Sequence, residues 1–159
     1  MNIYLDTNAF YFFFFEHKDY TKGIKKAFEK IQCGEYNGVT SCLTLDELAY
    51  VILMRLIEKK YNKHPSDVLR ESRHVILEFT PVLHKIFEVI QSFDNLKIVD
   101  ANKDTAGFIP TIMEETLLLP RDCIHLQTML NQNCRIILST DKDFDGIREI
   151  TRMKPEEVK

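Results

Sequence analysis

No Cys-x-x-Cys pair occurs in this sequence: Cys33, Cys42, Cys123 and Cys134 lie far apart along 159 residues. That spacing offers neither a zinc knuckle nor a dithiol redox motif, and reduced thiols in a cytoplasmic protein are the plainest expectation. No apolar stretch approaches the roughly 18 residues of a membrane span. The first residues also lack the basic start and small-residue cleavage site of a secretory leader, so no membrane is expected among the partners. An excess of basic charge is missing as well. The net charge is −3 and the pI about 6.0, which gives no general case for nucleic-acid binding. Any surface for a polyanion must therefore be local. Repeats, low-complexity tracts and linkers are absent, and a chain that is 45% hydrophobic and 28% charged reads as globular. One domain over residues 1–159 is the expectation.

What is present alternates strand and helix. Asn2 to Leu5 reads as a short buried strand, followed by a helix over residues 9–15. Thr21 to Gln32 carries Ile24, Ala27, Phe28 and Ile31 at spacings of three and four, an amphipathic helix with Gly34 just past its end. A second strand at 38–41 precedes a helix from Leu43 to Lys59, apolar nearly all round and so expected at the centre of the fold. Ser66 is expected to cap a helix reaching about Phe79, and Thr80-Pro81 opens another to Phe93. A strand follows at 96–99. Asn102 caps a helical stretch that Pro110 should break. Pro120 starts a helix to about Asn131, Arg135 to Ser139 is a strand, Asp141 to Gly146 a turn, and Glu149-Ile150 a short edge strand. Strands alternating with helices imply a parallel sheet covered on both faces, in which ligands bind beyond the carboxyl ends of the strands.

Acids fall on that rim. Asp6 ends the first strand, Glu47 lies near the start of the helix after the second, Asp122 opens the helix after Pro120, and Asp141, with Asp143, follows the last clear strand. Each has a plain structural explanation. Thr44-Leu45-Asp46-Glu47 matches a capping box, Asp122 complements a helix dipole, and Asp6 and Asp141 suit turns. None of these explains why all four should map to one rim. Clustered carboxylates repel, and burying them unpaired is costly. Mg²⁺ or Mn²⁺ resolves that conflict, because such ions take oxygen ligands and phosphate oxygens and activate water for phosphodiester hydrolysis.

Two other motifs compete for the same residues. Asp141-Lys-Asp143-Phe-Asp145-Gly146 copies the first half of an EF-hand loop, yet its twelfth position is Arg152 where a bidentate glutamate is required. A strand ending in Asp6 also suits an aspartyl-phosphate phosphatase, but Asn8 stands where that chemistry wants a second acid.

Four segments in order complete the pattern: Tyr4-Leu5-Asp6-Thr7-Asn8, Ser41 to Leu48, Leu119 to Leu126, and Ile137 to Phe144. In these the chain resembles PIN-domain proteins, and in length and layout the VapC-type toxin ribonucleases. The resemblance implies a Rossmann-like three-layer α/β/α sandwich with a short, mainly parallel central sheet. It implies an Mg²⁺- or Mn²⁺-dependent endoribonuclease with an RNA substrate, a cognate antitoxin and a homodimeric state. Asp6, Glu47, Asp122 and Asp141 fall on its catalytic and metal-binding positions, with Asp143 as an additional ligand. Thr7 and Asn8 fall where the family keeps small polar residues, and Ser139 or Thr140 would orient a carboxylate. His125 reads as a packed or hydrogen-bonding residue, Arg121 as a solvated arginine or a phosphate contact, and Lys18, Lys22, Lys25, Lys26 and Lys30 as a solvated face or a phosphate track. The alternative from another class is a PIN-like module that binds RNA or protein with little or no catalysis.

The run Tyr11 to Phe15 remains. Five consecutive aromatics on a helix point in every direction, so one core cannot bury them all. Phe10, Phe13 and Phe14 share a face, and Tyr11, Phe12 and Phe15 are expected to be presented to a second subunit, unless the whole run is core against residues 81–93.

Overall fold

A computed structural model describes residues 1–159. Five strands, β1 (Asn2–Leu5), β2 (Asn37–Ser41), β3 (Leu96–Val99), β4 (Ile136–Leu138) and β5 (Thr151–Met153), form one sheet in the order β3-β2-β1-β4-β5. Every neighbouring pair is parallel. The expected edge strand at 149–150 forms two residues later, as β5. Ile150 is buried there against Phe144 and Ile147, and pairing starts only at Thr151.

The sheet is covered on both faces, and β1 shows why. Ile3 and Leu5 enter one core, and Tyr4 between them enters the other, as the two-residue period of a strand demands. The first core is packed by α1 (Thr7–Phe14), α2 (Thr21–Gln32), α3 (Cys42–Tyr61) and α5 (Thr80–Gln91). Between α3 and α5 the chain makes a short α4 (Pro65–Glu71) and a 3₁₀ segment at Arg73–Glu78. The second core is packed by α7 (Ile109–Thr116) and α8 (Pro120–Asn131), with α6 (Lys103–Gly107) alongside. The result is the three-layer sandwich expected from the alternation.

Several expectations for single helices are corrected. Ser66 is not a cap: α4 starts one residue earlier, at Pro65, and His64 takes the cap, its Nδ1 accepting from the Ser66 amide. The chain then breaks at Ser72 into the 3₁₀ segment instead of running helical to Phe79. α3 is not central all round, since Tyr50 and Val51 are exposed while Leu48 and Ile52 are buried. Pro110 acts as expected, with the helix broken at Phe108 between α6 and α7.

The aromatic run is absorbed largely by the chain itself. Phe10 is fully buried, and Tyr11 to Phe15 are half-buried and packed on the first core. Phe13 meets Phe28 and Phe93, with ring centroids 4.3 and 5.9 Å away. Tyr11 stacks on Phe15 at 5.0 Å, and Phe12 packs on Tyr20 at 5.0 Å. Rings that a straight helix would splay outward are collected because α1 ends at Phe14 and the chain turns back into α2.

Gly23 sets one close contact of the fold. A Cβ there would stand 1.8 Å from the carbonyl oxygen of Pro155. Only a glycine lets the C-terminal 3₁₀ turn Pro155–Glu157 lie directly on α2.

Candidate active site

The strand order reverses between β1 and β4, since β2 continues the sheet on one side of β1 and β4 on the other. Asp6 follows β1 directly, and Ser139 to Asp141 follow β4. α3 leaves the end of β2, and α8 runs back to feed β4, so its N-terminus lies at the same rim. The topology therefore delivers Asp6, Glu47, Asp122 and Asp141 to the crevice where such sheets bind ligands.

Asp6 is the fixed point. It is 7% exposed and caps α1, with Oδ1 accepting from the Thr7 amide at 2.7 Å. Oδ2 accepts from Ser139 Oγ at 2.6 Å and from Asn8 Nδ2 at 2.5 Å. Ser139 Oγ in turn accepts from the Asp141 amide at 2.9 Å, and Asn8 Oδ1 from the Thr140 amide at 3.0 Å. Asn8 and Ser139 thus lace the end of β1 to the loop that carries Asp141. Burial pushes the Asp6 carboxyl above the ordinary aspartate value, against the opposing pull of His125 and the Ser139 hydrogen bond.

Glu47 is not a capping residue. α3 begins at Cys42 and is capped by Ser41, whose Oγ accepts from the Thr44 amide, so Glu47 falls in the second turn and faces the crevice. Its Oε2 accepts from Thr7 Oγ1 at 2.7 Å and from His125 Nε2 at 3.0 Å. Arg121 Nη1 stands 3.5 Å from Oε1. Burial alone would raise this carboxyl. The bonds from His125 and Thr7, with the charges of His125 and Arg121, outweigh it and hold Glu47 below the ordinary glutamate value.

His125 is 1% exposed. Nε2 donates to Glu47, and Nδ1 lies 2.8 Å from the Tyr4 hydroxyl, itself 3.0 Å from Ser41 Oγ. Burial pushes the Tyr4 phenol far up, so it stays protonated. A buried chain from Ser41 through Tyr4 and His125 to Glu47 underlies the crevice. The sequence held one sign of it in a hydroxyl-bearing aromatic at a buried strand position, two residues before Asp6.

Asp122 has no hydrogen-bond donor on its carboxylate in a half-buried position. Burial, together with repulsion from Asp141, Asp6 and Glu47, pushes its carboxyl up to about 6 from 3.8, although His125 works the other way. That repulsion can exist only because the four acids share one place. Asp141 caps the 3₁₀ turn Lys142–Phe144, with Oδ1 accepting from the Asp143 amide at 2.9 Å. Asp143 meets the cluster through that amide, and its side chain is exposed. Thr140 likewise contributes its amide, and Ser139 is the one that orients a carboxylate.

The EF-hand-like loop closes on itself. Arg152, on β5, forks Asp145 with Nε and Nη2 at 2.7 Å each and donates from Nη1 to the Ser139 carbonyl at 3.2 Å. A guanidinium sits where a calcium loop needs a carboxylate. The phosphatase reading also weakens, because both Asp6 oxygens are occupied and the side chain is buried.

No three His, Cys, Asp or Glu side chains stand arranged to enclose a metal ion. The donor set nevertheless suits a hard divalent cation. It is made of carboxylates, its one histidine is engaged by Tyr4 and Glu47, and Asp122 and Asp141 each keep an oxygen with no donor on it.

Comparison with known proteins agrees with this layout. The chain is similar in structure to VapBC2 from Rickettsia felis, solved bound to a DNA fragment of its promoter, at 16% identity and a TM-score of 0.60 over 97% of this chain and 98% of that one. It is also similar to a toxin–antitoxin complex from Klebsiella pneumoniae, at 18% identity and 0.59 over 96% and 97%. FitAcB from Neisseria gonorrhoeae matches at 14% and 0.60 over 97% and 98%. No curated protein matches the sequence. The PIN domain family model matches residues 3–150, nearly the whole chain, and with the acid-lined crevice of the sheet this places the chain in the PIN domain family.

Proposed function

We propose that this chain is a metal-dependent endoribonuclease that acts as the toxin of a toxin–antitoxin pair. The observation that carries the reading is the convergence of Asp6, Glu47, Asp122 and Asp141 on one crevice, where burial and then the charges of the other three push Asp122 up to about 6. Those four acids would hold Mg²⁺ or Mn²⁺, with Asp143 at the edge of the set. The bound ion supplies an activated water and neutralises charge on the phosphate. The chain's own residues orient the donors. Ser139, Asn8 and Thr7 fix Asp6, and Thr7 and His125 fix Glu47. Asp122 and Asp141 keep the oxygens left free for a ligand. The structural neighbours are toxin–antitoxin complexes, which supports a cognate antitoxin for this chain too.

RNA incubated with Mn²⁺ should be cut, spared with EDTA, and spared by an Asp122→Asn variant that keeps its circular dichroism spectrum. Full activity in that variant would remove Asp122 from the site and point to a contaminating nuclease. RNA binding by wild type with no cleavage in Mn²⁺ would select the binding-module alternative.

A further inference from the structure

Beside Asp141 lies a cavity of about 340 Å³, at the small end of the roughly 300–1,000 Å³ of ligand pockets. Thr140 and Lys142, which flank Asp141 in sequence, line it, so it lies against the loop that carries that acid. Lys154, Arg152 and Tyr20 stand on the same wall, as do the carboxylates of Asp145 and Glu156. Arg152 is committed to Asp145 and the Ser139 carbonyl, which neutralises one of those two exposed carboxylates. Neither Lys142 nor Lys154 takes part in an ion pair. Two unpaired cations therefore stand next to a cluster that repels phosphate.

The wall is built, not incidental. Lys154 is brought beside Tyr20 because Pro155 lies against Gly23, where any side chain would collide. The Tyr20 ring is held by His17, stacked at 4.4 Å and 10°, and by Phe12 at 5.0 Å. A ring braced in this way is a stacking platform, and base–aromatic stacking tolerates any sequence.

We propose that this cavity binds the nucleotide adjoining the cleaved bond of single-stranded RNA, with its phosphate between Lys142 and Lys154 and its base on Tyr20. The proposal rests on the ribonuclease reading above. It explains how a chain of net charge −3 holds a polyanion: the cations are local, and one of them, Lys142, directly follows the candidate ligand Asp141.

The test uses a fluorescein-labelled, uncleavable 2′-O-methyl RNA octamer and fluorescence polarisation in Mn²⁺. Lys142→Ala/Lys154→Ala should weaken binding about tenfold and flatten the slope of log K against log salt by about 1.4, from two lost contacts on a single strand. Tyr20→Ala should weaken binding by roughly tenfold with the slope unchanged, and Tyr20→Phe should restore it. Lys59→Ala/Lys85→Ala, on the exposed side of α3 and α5, should bind as wild type. An unchanged Mn²⁺-induced rise in melting temperature in the lysine variant, which leaves the acids untouched, shows that the cluster is intact. If wild type cuts RNA while the lysine and tyrosine variants bind the octamer as tightly, the subsite is refuted and the ribonuclease reading stands. If wild type neither binds nor cuts RNA, both fall.

Discussion

Replacing Asp122 with asparagine should make the metal-free protein more stable at pH 8. Asp122 titrates near 6 in the folded chain against 3.8 as its ordinary value, a rise of roughly two units. Two units on a fully buried group are about 3 kcal/mol; screening of a half-buried one reduces this to about 1–2 kcal/mol. The sign follows from proton linkage. Between pH 3.8 and about 6 the folded state binds more protons than the unfolded state, so stability falls as pH rises through that window. Above it the full penalty is present, and below it none is. Asp6, raised by burial, adds in the same direction. The variant removes the charge and the repulsion on Asp141, Asp6 and Glu47. At pH 8 with EDTA it should melt about 2–8 °C above wild type, by the usual 2–4 °C per kcal/mol for a domain of this size. Near pH 3.5 the two should coincide. Added Mn²⁺ should raise the melting temperature of wild type at pH 8, since it binds only the folded site, and raise that of the variant less. Scanning calorimetry at both pH values decides. A variant that melts at or below wild type at pH 8 would refute the account of four acids in mutual repulsion.

His125→Phe should cost about 1–3 kcal/mol, because it deprives the buried Tyr4 hydroxyl and Glu47 of a partner; urea unfolding measures it, and wild-type stability would mean the buried chain contributes nothing. Gly23→Ala should cost about 1–3 kcal/mol by forcing Pro155 off α2 and should weaken binding of the octamer, whereas unchanged stability would show that the C-terminal turn moves freely. Light scattering at micromolar concentration should give twice the 18.7 kDa chain mass, and a monomer would refute the pairing.

Much of this was legible in the sequence, for physical reasons that differ by element. The period of α2 and the proline starts of α5 and α8 are local signals, and those helices begin and end close to where they were expected. β5 was misplaced because three residues at a sheet edge carry almost no pattern of their own. Glu47 looked like a cap because the sequence cannot reveal that Ser41 has already taken that place. The acids could be listed from the rim argument. The buried chain through Tyr4 and His125 and the Arg152–Asp145 fork could not, since each joins residues whose nearness only the folded sheet creates. The aromatic run misled in the opposite sense, because the turn from α1 into α2 gathers rings that helical geometry alone would scatter.

The position of β4 between β1 and β5 has a consequence for synthesis. β1 is made more than 130 residues before its second neighbour, and Ser139 must reach back across the chain to Asp6. Until residues 136–141 emerge, Asp6 lacks the hydroxyl that orients it and Asp141 does not yet exist. The two walls of the crevice therefore cannot form in sequence order: the end of β1 waits, unpaired on that side, until β4 has been made and the first and fourth strands close on each other.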